Sequence, residues 1–60
     1  VFESFSMGIP DFHSLILVEG YGYGQLRGFC EDGTVQVYMG FGRTMTIPGE
    51  ARWRYCNYGV

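Results

Sequence analysis

The side-chain types that chemistry needs are present in this chain, but their spacing does not assemble a reaction. Asp11, His13 and Ser14 are the residue types of a nucleophilic triad. Residues this close in sequence seldom converge in triad geometry, and no Gly-x-Ser-x-Gly elbow surrounds Ser14, so His13 reads as an arm residue. His13, Cys30 and Cys56 are metal-ligand types without Cys-x-x-Cys or His-x-x-x-His spacing. Glu31 and Asp32 are adjacent carboxylates. Neighbours at a strand end point apart, so this pair reads as a solvated hairpin tip rather than an acid–base couple. Gly20, Gly22 and Gly24 have the spacing of a phosphate loop. A dinucleotide fingerprint leads from a strand into a helix, whereas a strand follows here, so these glycines read as a tight barrel corner. All four basic residues (Arg27, Arg43, Arg52 and Arg54) are arginines, so a lysine nucleophile or Schiff base within the chain is excluded. No catalytic residue, metal or cofactor is expected.

What remains for function is aromatic surface. Five Tyr, five Phe and one Trp stand among 60 residues, and such rings carry large apolar area each. Tyr21, Tyr23, Tyr38 and Phe41 fall on two loops and a strand face that are expected to gather at one end of the molecule. Aromatic walls beside carboxylates suit a cation, a methylated side chain or a proline-rich peptide. The competing structural reading is that these rings cap a small core or bury in a subunit interface.

The elements that must position them are short. Apolar runs are cut at short intervals by Gly or Asp-Gly from Val18 to Pro48, the punctuation of a small, strongly bent antiparallel β-barrel. Residues 1–14 read as an N-terminal arm: Gly8 and Pro10 break any period, and Pro10 biases Ile9 to an extended form. Phe2, Phe5 and Phe12 are too apolar for a free tail and are expected to pack on the barrel or on a neighbour. Residues 15–60 form the barrel. Its first strand is Leu15–Glu19, followed by a loop over Gly20–Gly24 and a second strand over Gln25–Cys30. Asp32-Gly33 is a two-residue hairpin turn. Thr34–Met39 alternates, with Val35, Val37 and Met39 on one face. Gly40-Phe41-Gly42 turns the chain into a fourth strand whose Met45 and Ile47 point inward. Pro48-Gly49 ends that strand through a single 3₁₀ turn, and Ala51–Tyr58 is the last strand, with Ala51, Trp53 and Tyr55 on one face.

Length and charge bound the rest. Sixty residues make one domain, and a chain of that size buries only about 60% of its extended surface. A net charge of −2 gives no electrostatic footprint for nucleic acid. The longest aliphatic run, Leu15–Val18, is too short to cross a bilayer or to form a signal-peptide core. The chain begins at Val1 rather than Met, which leaves open a trimmed leader or a larger parent. Its compartment is not legible. Cys30 and Cys56 are compatible with one disulfide closing a loop of roughly 25 residues, worth about 3 kcal/mol, or with two half-buried thiols in a reducing compartment.

Five short strands with a turn between the fourth and fifth resemble the order of an SH3-like barrel, as do Tyr21-Gly22-x-Gly24 entering the second strand, Asp32-Gly33 at the hairpin and Ile47-Pro48 before the last strand. The likeness covers residues 15–56. Within that class, Val1-Phe2 followed by Ser4, the stretch Gly24-Gln25-Leu26-Arg27-Gly28-Phe29-Cys30 and the string Val35-Gln36-Val37-Tyr38 resemble the plasmid-borne type II dihydrofolate reductases. The string lies on the third strand here, where that family carries its counterpart on the fourth, and the family's pore lysine has no counterpart. That resemblance implies the fold and a tendency to form a homo-oligomer. The expectation is therefore a five-stranded, all-β, SH3-like barrel with an extended arm, binding a protein or peptide partner through Tyr21, Tyr23, Tyr38 and Phe41. The alternatives are an oligomeric reductase of the type II kind and a secreted inhibitor or toxin stapled by Cys30–Cys56.

Overall fold

A computed structural model describes residues 1–56. It is all-β, as the alternation of short apolar runs and glycine turns requires. Six strands form one antiparallel sheet: β1 (Glu3–Ser4), β2 (Leu15–Val18), β3 (Gly22–Phe29), β4 (Val35–Gly40), β5 (Arg43–Ile47) and β6 (Arg52–Tyr55). Their order across the sheet is β1-β6-β2-β3-β4-β5. The sheet is not closed, and β1 and β5 are its edges.

A single sheet with no helix laid on it buries a core only by curling over its own face. That curl is visible in β3, whose first half (Gly22–Gln25) pairs with β2 and whose second half (Gln25–Phe29) pairs with β4, the two ladders sharing only Gln25. The register shifts between Leu26 and Gly28, a bulge that adds local twist. Inside the curl, Ile16, Val18, Leu26, Val35, Val37 and Ile47 are wholly or almost wholly excluded from solvent, with Phe5 and Trp53 completing one cluster. In β4 the expected alternation holds: Val35 and Val37 are buried and Met39 packs against the core.

The sixth strand comes from the arm. Glu3 lies opposite Trp53 and Ser4 opposite Arg52. The cause is Phe5, which is buried and stacks on Trp53 with ring centroids 6.1 Å apart. The Phe5 and Ser6 amides donate to the Ala51 and Gly49 carbonyls, carrying the pairing past the strand. Phe12, by contrast, stays half exposed against His13.

Several details differ from the sequence expectation, among them two element boundaries and the exposure of Met45. The loop expected over Gly20–Gly24 is a tighter turn at Glu19–Tyr21, closed by the Tyr21 amide on the Val18 carbonyl (2.9 Å), and Gly22–Gly24 belong to β3. Met45, expected inward, is 41% exposed because β5 is an edge and no strand lies beyond it to cover the inner face. The last strand is Arg52–Tyr55, and the Cys56 amide still donates to the Leu15 carbonyl (3.1 Å); the expected continuation over Asn57 and Tyr58 lies outside the described residues. The Pro48–Ala51 segment, expected as a single 3₁₀ turn, is instead a β-turn closed by one i→i+3 bond from the Ala51 amide to the Pro48 carbonyl (3.1 Å).

Candidate functional site

In an antiparallel meander, successive turns leave a sheet at alternating ends, so the β2–β3 and β4–β5 turns share an end. Tyr21 lies in the first of these turns and Phe41 in the second. Tyr23 and Tyr38 lie on the strands leading to them, on the face opposite Gly24, Leu26 and Val37, which are buried. Tyr38 is opposite Gln25, and Tyr23 is two residues further along the same strand, which makes the two tyrosines diagonal neighbours on the outer face.

The four rings are held differently. Tyr38 is half buried, its hydroxyl accepts the Gly42 amide (3.0 Å), and the Arg27 guanidinium lies 4.7 Å from its ring centroid. It braces the β4–β5 turn. Tyr21 and Tyr23 are 42% and 49% exposed, Tyr23 opposite Leu17. Phe41 is fully exposed (100%) at the tip of its turn, with φ = 57° between Gly40 and Gly42, whose φ values are also positive. A phenylalanine is a rare occupant of left-handed backbone, which disfavours residues with a Cβ by about 1–2 kcal/mol. Its ring offsets none of that within the chain.

Arg27 was not among the expected site residues. It lies on the same outer face as Tyr38, beside the register shift between Leu26 and Gly28, with its guanidinium over the Tyr38 ring. Sequence alternation alone places the two residues on one face but does not reveal the bulge.

At the opposite end lies an open cleft of about 220 Å³ lined by Ser6, Asp32, Gly33, Thr34, Pro48, Gly49 and Glu50. Here the Asp32 Oδ1 accepts both the Thr34 hydroxyl (2.7 Å) and the Thr34 amide (3.0 Å). These bonds, the hydroxyl foremost, hold the Asp32 carboxyl below its ordinary value of 3.8. A carboxyl depressed by folding adds stability that is present above the unfolded-state value and is lost as pH falls through the folded one. Asp32→Ala is therefore expected to flatten the acid side of the stability curve below about pH 4, read as urea midpoints at stepped pH. A wild-type and a variant curve of equal acid slope would remove Asp32 from the acid transition.

The remaining chemistry-bearing residues stay apart. His13 is exposed with φ = 68°, its amide donating to the Leu26 carbonyl (2.8 Å). Asp11 sits in the same turn and accepts the Ser14 amide through its carbonyl. Cys30 and Cys56, the pair weighed for a disulfide, are separate free thiols, both half buried. The Cys30 Sγ accepts from Gln36 Nε2 (3.4 Å), which also donates to Thr46 Oγ1 (2.9 Å). No group of three His, Cys, Asp or Glu side chains that could hold a metal occurs among the described residues. No helix among them is long and apolar enough to cross a membrane.

Against protein-family models, curated proteins and solved structures, the chain finds no match in any of the three comparisons.

Proposed function

We propose that this chain is an SH3-like β-module that binds a protein or peptide partner through the aromatic end built from Tyr21, Tyr23, Tyr38 and Phe41. The SH3-like reading is supported by the strand order β6-β2-β3-β4-β5, in which the last strand returns beside the first of the meander. The binding reading rests on Phe41. A fully exposed phenyl ring in left-handed backbone adds nothing to the folded chain, whereas glycine there would relieve the backbone at no loss of packing. A ring held that way is suited to contact with something outside the chain. Tyr21 and Tyr23 add half-exposed rings at the same end, and Tyr38 with Arg27 gives a rigid floor. Such a surface fits the flat faces of a proline-rich segment.

The test uses a proline-rich peptide and the wild-type, Tyr21→Ala and Phe41→Ala proteins, followed by amide and aromatic NMR shifts. Perturbations centred on Tyr21, Tyr23 and Phe41 are expected, with affinity at least tenfold weaker in each variant. Thermal midpoints should stay close to wild type, because neither ring belongs to the core. Unfolding of both variants would make these rings core and sink the proposal, as would wild-type shifts that stay flat or fall elsewhere at about 1 mM peptide.

A further inference from the structure

The two edges of the sheet are unequal. β1 is only two residues long, while β5 offers five, Arg43-Thr44-Met45-Thr46-Ile47. Proteins ordinarily blunt an exposed edge with charges, Pro, a bulge or a covering loop. Here the one charge, Arg43, and the register irregularity of the β4–β5 ladder both lie at the first residue, and residues 44–47 carry no charge, Pro or bulge. Among the described residues, no backbone hydrogen bond outside the β4–β5 ladder reaches residues 43–47. The strand also leaves apolar surface unfinished, since Met45 sits on the core-facing side opposite Val37 yet is 41% exposed.

We infer that β5 pairs with β5 of a second copy, antiparallel, about a two-fold axis through Met45. The sequence of the strand is what selects a second copy. Antiparallel pairing centred on Met45 sets Thr44 opposite Thr46 of the other chain and Met45 opposite Met45, so a threonine pair forms twice on the outer face and a methionine pair closes the inner face. Arg43 falls opposite Ile47, so the two arginines stand at opposite ends of the joint and like charges never meet. Each Arg43 then lies beside the other chain's Pro48–Glu50 turn, where Glu50 flanks the acidic cleft. Neither Arg43 nor Glu50 has an ion pair within its own chain among the described residues. The cation and the anion are thus both available, each twice. One strand pair with its flanking turns is a small interface, so the dimer is weak and concentration-dependent. This pairing does not draw on Tyr21, Tyr23 or Phe41 and stands independently of the proposed aromatic site.

Sedimentation across a concentration series tests it. The apparent mass is expected to rise from 6.8 kDa toward twice that value by about 100 µM, and Met45→Lys, which sets two like charges face to face, should keep it at the monomer value. Met45 is partly exposed, so lysine is compatible with the fold, and an unchanged far-UV spectrum checks this. Register is read in a Cys30→Ser, Cys56→Ser background. Met45→Cys should give a disulfide-linked dimer on mild oxidation, while Thr44→Cys or Thr46→Cys alone should not, and the two together should. A chain that stays monomeric to 1 mM without a 45–45 crosslink overturns the inference. A dimer indifferent to Met45→Lys, or crosslinking equally at 44, 45 and 46, overturns it as well.

Discussion

Trp53→Ala is expected to leave this chain unfolded at room temperature. Trp53 is buried on β6 between two partner strands, opposite Glu3 of β1 and Val18 of β2. Its ring stacks on Phe5 and meets the Tyr55 ring edge-on at 5.0 Å and 87°. Its Nε1 donates to the Gly8 carbonyl (2.9 Å). One side chain therefore ties the arm, the edge strand and the closing strand to the core. Truncating a buried Trp costs about 3–5 kcal/mol, and a single core in a chain of this size supplies about the same amount. The far-UV spectrum of the variant should show no cooperative melt. Trp53→Phe is the milder change: it keeps a six-membered ring against Phe5 and Tyr55 but loses the bond to Gly8 and the rest of the indole's buried area. The Gly8 carbonyl is on a half-buried residue, so the bond contributes near the low end of about 1–3 kcal/mol, and the variant should fall between wild type and Trp53→Ala because part of the buried ring is lost as well. An alanine variant melting within a few degrees of wild type would mean that the arm and β1 hold β6 without this ring.

The contrast between β4 and β1 shows what the sequence could and could not reveal. Val35, Val37 and Met39 alternate over a full strand between a turn signal at Asp32-Gly33 and another at Gly40–Gly42, so local pattern and final structure agree. β1 carries no such pattern. Two residues make no period, and the pairing of Glu3 with Trp53 is set by Phe5 finding the core from the far end of the chain. That contact belongs to tertiary packing and was visible beforehand only as an arm too apolar to be free. Met45 fails for the same reason: alternation fixes which face it points to but not whether anything covers that face. For the aromatic end, topology was legible, since turn order alone sends Tyr21 and Phe41 to one end of the sheet. The register shift beside Arg27 went unread, although Gly28 inside a strand is the kind of residue that marks a bulge. The cleft around Asp32, Thr34 and Glu50 was read only as a hairpin tip, because its other wall comes from Pro48-Gly49 and Ser6.

Gly24→Ala is expected to cost about 2–3 kcal/mol, far more than glycine substitutions normally do in a strand. Gly24 does not have the positive φ of Gly20, Gly22, Gly33, Gly40 and Gly42, so the backbone angles themselves would accept alanine. Space is the obstacle. A Cβ there would stand 2.6 Å from Val37 Cγ1, 2.8 Å from the Tyr38 carbonyl oxygen and 2.9 Å from Met39 Sδ. Methionine can move, but the buried valine and the β4 backbone cannot without opening the β3–β4 ladder. Gly24 is thus a point on β3 where β4 leaves no room for a Cβ. Gly28 is the internal control, since it too lacks positive φ and a Cβ there meets nothing within 4 Å. Gly28→Ala should hold or raise stability by a few tenths of a kcal/mol, through the lower entropy of the unfolded chain. Thermal melts should separate the two variants by about 10 °C or more, and equal melts would mean that β3 and β4 are not in close approach at this point. The same substitution also reaches the proposed binding surface. Tyr23 precedes Gly24, and the Tyr38 carbonyl is one of the atoms the new methyl group would displace. Pushing β4 outward moves Tyr38 away from Arg27 and releases the Gly42 amide from the Tyr38 hydroxyl that braces the Phe41 turn. In a Gly24→Ala protein cooled to where it remains folded, the Phe41 and Tyr38 ring resonances should therefore shift together, while those of Trp53, at the other side of the sheet, stay in place.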